Sequence, residues 1–334
     1  MVYLIDKYCD EKEDKWDEFV LAKSVNGSFL QTRKFLNYHP KDRFNDSSLM
    51  VYHKNHLVAV VPACLITDNN SRIFFSHKGS TFGGIILSKE YYKAERVIDI
   101  VKSIDDYVSE KYDKAIFKIT PDIYSKENGD LLQYALSYCG YSNYVELNAY
   151  VDLIKLNSDV ISSFDRNKIR NIRKCEKHDL SFRELYNNDE IASFHKLLEI
   201  NLSKYGLSPV HTVKEMISFR ESIIPNNVKF YGTFRNNEMM AGGMMFVFEQ
   251  TNVIHAQNLS ADFRFDEYSP ITYMYYQVIR QAKEDGYDAL SWGISTEDEG
   301  RYLNTGLIRN KESYGSRHFL NRTYYKEFRG VKCR

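Results

Sequence analysis

The strongest constraint on this chain is an order of elements that occurs twice. In each half, hydrophobic periodicity gives helices, then a meander of antiparallel strands, then one amphipathic helix, then a strand. The first half reads as helices over 11–23 and 31–38, strands over 48–54, 57–66 and 72–77, and a helix over 91–111 that places Val97, Val101, Ile104 and Val108 at helical spacing. A strand at 115–119, a short helix at 131–138 and a strand at 143–155 complete it. The second half begins with a basic stretch at 165–177, a strand at 180–186 and a helix at 190–204. Thr212 and Glu215 then form a capping-box pattern that opens another helix. Strands follow at 228–235, 239–249 and 252–260, and Ser269-Pro270 starts a helix with Ile271, Met274, Tyr275, Val278, Ile279 and Ala282 on one stripe. A strand at 289–294 and strands near 317–328 end the chain. Antiparallel runs joined through one crossover helix imply an α+β fold. A length of 334 residues accommodates two domains, expected at 1–155 and 156–334. No glycine- or serine-rich linker separates them, so the halves are expected to pack closely.

Charge narrows the function classes. Lys plus Arg and Asp plus Glu both number 45, which argues against a broad electrostatic nucleic-acid binder and leaves room for a local patch. Cys9, Cys64, Cys139, Cys175 and Cys333 have no paired spacing, and their odd number fits a reducing, cytoplasmic setting. The start, M-V-Y-L-I-D-K-Y, does not read as a signal peptide, and no apolar run is long enough to span a membrane. No metal-ligand spacing occurs, so no metal is expected.

Functional groups concentrate between Trp292 and Arg317. A short apolar strand there ends in Ser295, Thr296, Glu297, Asp298 and Glu299, and Arg301, Asn304, Arg309, Lys311, Glu312 and Arg317 follow. Side chains of these kinds are costly to bury unpaired. The plain alternative is an internal ion-pair network that holds the C-terminal strands. Arg166, Arg170 and Arg173 lie at i, i+4 and i+7 and share one helical face with further basic residues around them. Such a face could meet phosphates, although a charge run is more often a solvated helix surface. His255 and Gln257 alternate onto one face of their strand.

The duplicated order resembles the tandem arrangement of the FemAB-like branch of the GNAT acyltransferase superfamily. The second half carries the more specific match: Pro209-Val210-His211-Thr212-x-x-Glu215, Ala241-Gly242-Gly243, Gln257, Gly293 to Glu297, Leu303 to Ile308, and Lys311 to Arg317. The first half matches in topology. This resemblance implies two tandem GNAT-like domains, with the active site in the second and the first shaping the acceptor cleft. It implies transfer of an acyl group to an amine, such as a small-molecule or nucleotide-linked precursor of the cell envelope or of a polysaccharide. The donor would be acyl-coenzyme A or, as in the Fem peptidoglycan-bridge enzymes, aminoacyl-tRNA. The one basic patch ranks tRNA below an acyl thioester. A non-catalytic binding protein that kept the fold is the third possibility. The pyrophosphate loop of acetyl-CoA-dependent relatives, Q/R-x-x-G-x-G/A, is replaced by Arg264 to Pro270, which has no glycine and contains Asp266 and Glu267.

On this resemblance Glu297 and His211 are the candidate bases and Tyr314 the candidate proton donor to the leaving group. Gln257 and the helix start at Ser269, Ile271 and Thr272 would hold the donor. Arg166, Arg170, Arg173, Asn304, Lys311, Glu312 and Arg317 would bind substrate. A base is needed because the free amine, not the ammonium, is the nucleophile. No covalent enzyme intermediate is required.

Overall fold

The computed structural model describes residues 2–40, 43–204 and 206–328. Contacts divide the chain into two units, Met1–Glu146 with Leu320–Arg334, and Leu147–Phe319. The expected division was after residue 155. The last strand, expected with the second half, instead adds to the first unit, because its residues Thr323–Glu327 pair with Lys114–Lys118.

In chain order the elements are β1 (Leu4–Lys7), α1 (Glu13–Glu18), α2 (Arg33–Leu36), β2 (Asn45–Asp46), β3 (Leu49–His53), β4 (His56–Val61), β5 (Cys64–Asp68), β6 (Ser71–Phe75), β7 (Ile86–Leu87), α3 (Ala94–Ser109), β8 (Lys114–Lys118), α4 (Asp130–Tyr138) and β9 (Ser142–Asp152). They continue with α5 (Arg166–Cys175), β10 (Ser181–Glu184), α6 (Asn188–Ser203), α7 (Val213–Ser218), β11 (Val228–Arg235), β12 (Glu238–Phe248), β13 (Val253–Ala261), α8 (Pro270–Glu284), β14 (Ala289–Ile294), β15 (Thr296–Glu297), β16 (Tyr302–Leu303), α9 (Thr305–Glu312) and β17 (Arg317–Glu327).

The first unit departs from the expected meander. The single strand expected over 57–66 is broken at Pro62 into β4 and β5, which lie in different ladders. Proline offers no backbone N–H and is excluded from the middle of a sheet. One ladder runs β1-β3-β4-β7, and a second runs β17-β8-β6-β5-β2. β6 and β8 are parallel. The helix between them, α3, buries Val97, Ile100, Val101, Ile104 and Val108. These side chains pack with Phe74, Ala115 and Phe117 of the same strands, and each large one contributes about 1.5–3 kcal/mol on burial.

The second unit repeats the device with the order β10-β11-β12-β13-β14-β9. Its pairs are antiparallel except for β13 and β14, which are parallel and joined through α8. The α8 stripe buries Met274, Tyr275, Val278, Ile279 and Ala282 in one core with Ile254, Leu290 and Trp292. Packing of α6 against β12 and β13 adds further helical cover. The capping box at Thr212 forms as the sequence predicts, with Glu215 N–H donating to Thr212 Oγ1 and Thr212 N–H to Glu215 Oε2. Each unit therefore contains a mainly antiparallel set of strands with one parallel pair and a crossover helix, an α+β architecture present twice, with the extra ladder β1-β3-β4-β7 in the first.

Candidate active site

The ladder between β13 and β14 is short. It pairs Val253 with Ala289, Ile254 with Leu290 and His255 with Ser291, and stops there. Beyond it β13 continues to Ala261 along β12, while β14 continues to Ile294 along β9. The facing edges lose their partners at this point, which frees backbone donors and acceptors for a ligand. Both strands are irregular at the same level. Met244 faces Asn258 and Met245 faces Ala256, so Gln257 is the extra residue of a bulge. Ser291 faces Tyr150 and Gly293 faces Ala149, so Trp292 is extra in β14. Bulges re-aim side chains and end pairing, and they recur beside active sites. Gly293 adopts φ +75°, a left-handed conformation that glycine takes without steric cost.

At the point of divergence sits a cluster of buried polar groups. His255 Nδ1 lies 3.2 Å from Ser291 Oγ, and Gly293 N–H donates to the same hydroxyl at 3.3 Å. Burial, aided by the charge of Lys311, pulls His255 down to about 4, while its side-chain bond with Gln257 works the other way. The imidazole is therefore neutral and fit to accept or relay a proton. Lys311 reaches in from the last turn of α9. Its ammonium donates to the carbonyls of Gly293 (2.9 Å) and Ile294 (2.7 Å) and to Ser295 Oγ (2.9 Å). Lys311 is only 3% exposed, and among the described residues no carboxylate lies within ion-pair distance of it. Burial lowers its pKa to about 8. A buried cation without a carboxylate is expensive, and such groups concentrate where a charge is needed for function.

The remaining residues fall into three groups. Glu297 is exposed at the start of the β15–β16 hairpin, where Asn304 Nδ2 donates to its Oε1 at 3.1 Å. Asn304 also caps α9 by accepting from Leu307 N–H, and its own N–H donates to the Ser295 carbonyl at 3.0 Å. Glu297 is thus tied to Lys311 through Asn304 and Ser295. Glu312 and Arg317 point elsewhere, the first to His318 at 3.0 Å and the second to Asp152 at 3.6 Å. These are surface ion pairs, not an internal network, and such pairs stabilise little.

Two further candidate residues lie in other surroundings. Tyr314 is wholly buried, stacked on Tyr275 at 5.1 Å, with its hydroxyl donating to the Thr272 carbonyl at 3.4 Å. Burial raises its pKa. It is packed as a core tyrosine. His211 is buried with its ring edge-on to Phe219 at 5.1 Å, and its carbonyl accepts from His195 Nε2 at 3.0 Å. These contacts associate it with α6 and the turn after α7, whereas the Lys311 cluster is built from β13, β14 and α9.

The row on α5 keeps its predicted face. Arg166, Arg170, Arg173, Lys174 and Lys177 are exposed, line a surface groove of about 760 Å³, and make no ion pair among the described residues. Lys168 is diverted: it donates to Asn310 Oδ1 at 2.9 Å and lies 4.6 Å over the Tyr314 ring. α5 packs on α8, and Cys175 Sγ lies 3.7 Å from the carbonyl of Ser269, so the end of the basic row stands at the N-terminus of α8. Ser269 is left-handed at φ 51°, and Ile271 and Thr272 form the first turn behind Pro270. Among the described residues no group of His, Cys, Asp and Glu is arranged to hold a metal ion, and no helix is long and apolar enough to cross a membrane.

Comparison with known proteins agrees with this arrangement. Residues 162–302 match the family model described as an acetyltransferase (GNAT) domain. No curated protein matches the sequence. The fold is similar over nearly the whole chain to FemX, with a TM-score of 0.66 at 11% identity, covering 97% of each chain. It is also similar to L-PGS from Bacillus licheniformis, with a TM-score of 0.60 at 11% identity, covering 95% of this chain and 91% of that one. The C-terminal domain of a putative lysylphosphatidylglycerol synthetase from Agrobacterium fabrum gives 0.55 at 11% identity, covering 82% of each. The domain match places a GNAT acetyltransferase domain within the second unit, at residues 162–302. Over the whole chain the likeness to FemX is one of fold.

Proposed function

We propose that the protein is an N-acyltransferase that carries an acyl group from an acyl-coenzyme A thioester to the amine of a cell-envelope or polysaccharide precursor, with the reaction at the gap between β13 and β14. The observation that carries this reading is the buried, carboxylate-free ammonium of Lys311 at the end of β14. In the proposed sequence the donor carbonyl lies along the unpaired edges beyond His255 and Ser291. Glu297 removes a proton from the acceptor ammonium. The free amine adds to the carbonyl carbon, and the oxyanion forms in the field of Lys311, which can exchange its bond to Ser295 Oγ for one to that oxygen. Collapse breaks the carbon–sulfur bond: the proton gathered by Glu297 leaves with the thiol, and the nitrogen, still positively charged after addition, releases its second proton to solvent to give the neutral amide. Gln257, raised on its bulge, and the buried His255–Ser291 pair fix the floor of the site.

An aminoacyl-tRNA donor is the second reading, and the α5 row favours it. From Arg166 to Lys174 the unpaired cations extend about 12 Å at 1.5 Å per residue. Nucleic-acid phosphates follow one another at about 3.4 Å per strand, so such a row fits several of them. Acidic Asp266 and Glu267 stand before α8 in place of a glycine loop, which disfavours the usual thioester mode. Offering both donors separately, with the product amide read by mass, decides between them.

Glu297→Gln tests the base. It removes proton uptake while keeping the shape and an acceptor for Asn304. The expected result is a loss of about 10²–10⁴-fold in kcat with an unchanged melting temperature. Full activity would remove Glu297 from the mechanism.

A further inference from the structure

The first unit contains a pocket of about 840 Å³ that the transfer chemistry does not use. That volume lies in the range of small-molecule sites. Its floor is Arg33 from α2, only 4% exposed. The guanidinium lies 3.9 Å over the Tyr8 ring, donates to Ser48 Oγ at 3.1 Å and to Asn37 Oδ1 at 2.8 Å, and forms an ion pair with Asp46. Its charge is therefore already neutralised. Two further carboxylates face the same space. Glu13 accepts from Asn37 Nδ2 through one oxygen, and Asp10 enters no ion pair among the described residues. Acids thus outnumber the one cation among the described lining residues, and that cation is ion-paired with Asp46, with only its Nε left without a hydrogen bond.

A second buried donor is left over beside Arg33 Nε. His77, which is 3% exposed, accepts the Gly79 N–H at its Nδ1 (3.2 Å), so its own proton sits on Nε2. That Nε2–H has no partner among the described residues, and the ring lines the pocket beside Phe44, whose centroid is 5.1 Å away. Burial pulls His77 down to about 4, so it stays a neutral donor through the physiological range. A neutral donor, two spare carboxylates, an exposed amide and an aromatic face suit hydroxyl groups and one ammonium. They do not suit phosphate, which would meet Asp10, Glu13 and Asp46.

We propose that this pocket binds a small hydroxyl-rich amine of amino-sugar size in its cationic form, with the ammonium at Asp10 and Glu13 and a hydroxyl on His77 Nε2–H. The site is assigned for binding and stands independently of the proposed acyl transfer.

Titration calorimetry on the full chain tests it with three probes: glucosamine, N-acetylglucosamine, in which the amine is blocked, and glucosamine 6-phosphate. Glucosamine is expected to bind saturably, and each of the other two at least about tenfold more weakly, as loss of a charge-assisted bond implies. The double variant Asp10→Asn, Glu13→Gln is expected to lose the preference for the free amine. Both positions are at the surface or half-buried, so the fold should persist, and the melting temperature verifies this. Lys311→Met, which alters the second unit, should bind glucosamine as the unaltered chain does. That arm separates failure of this site from failure of the transferase reading. No heat with glucosamine, tighter binding of the 6-phosphate, or an unchanged preference in the folded double variant would overturn the proposal.

Discussion

Lys311→Met is expected to lower acyl transfer by about 10²–10³-fold, the range found when an oxyanion-stabilising group is removed. Methionine keeps most of the length and the apolar stem, so the variant mainly deletes the charge and three hydrogen bonds. Leaving the Gly293 and Ile294 carbonyls without that donor costs about 1–3 kcal/mol each if they stay dry. Removal of a buried, carboxylate-free cation offsets part of this. A purely structural lysine would therefore also give a less stable variant, and the pH profile is what separates the two roles. Burial sets Lys311 near a pKa of about 8, below its ordinary 10.5. If the charge serves catalysis, kcat of the unaltered enzyme falls as pH rises through about 8, and the residual activity of Lys311→Met lacks that limb. Stability moves in the opposite sense. Between about 8 and 10.5 the unfolded chain holds a proton that the folded chain has released, so stability attributable to this group rises with pH across that window. Chemical denaturation at pH 7.5 and 10, compared between the two proteins, reads this difference.

Reversal of charge on α5, Arg170→Glu with Arg173→Glu, is expected to raise the KM for the donor by about tenfold or more and to leave the melting temperature unchanged. Both side chains are exposed and unpaired among the described residues, and surface substitutions of that kind stay within about 0.5 kcal/mol. A phosphate-bearing donor that docks on this row loses contacts whose strength depends on salt. The dependence of KM on ionic strength should therefore flatten in the variant, most steeply for a nucleic-acid donor. An unchanged KM at low salt would mean that the row is only a solvated helix face, and the donor would have to be sought at Ser269, Ile271 and Thr272 alone.

What the sequence revealed of the fold was local and periodic. The crossover helices α3 and α8 were legible because their apolar stripes repeat at helical spacing. The capping box at Thr212 was legible because two residues three apart, Thr212 and Glu215, encode it. The break at Pro62 was written in the chain as well, but the apolar run on both sides of it reads as one strand when periodicity alone is followed. The return of β17 to the first unit has no local signal, since it is a pairing across more than two hundred residues. The site shows the same division. Its region, Gly293 to Lys311, stood out by density of functional groups, and Gln257 was singled out on its strand, although the position of the bulge that raises it was not. The environment of each group was not legible. Lys311 read as a substrate clamp, yet its partners are backbone carbonyls at the end of β14, which no side-chain pattern displays. Tyr314 read as an acid from its motif, while it is packed among Phe164, Tyr275 of α8 and Trp292. Ser291 drew no notice because a serine in a strand is ordinary until a histidine is placed beside it.

The most direct test of the account is a transfer assay on the folded full chain. Labelled acyl-coenzyme A and aminoacyl-tRNA are supplied in separate reactions with a panel of amino sugars and peptide amines, and the amide product is identified by mass. The account predicts an amide from at least one donor, with formation falling about 10²-fold or more in Lys311→Met. Absence of amide from both donors, or undiminished formation by a folded Lys311→Met, would contradict it.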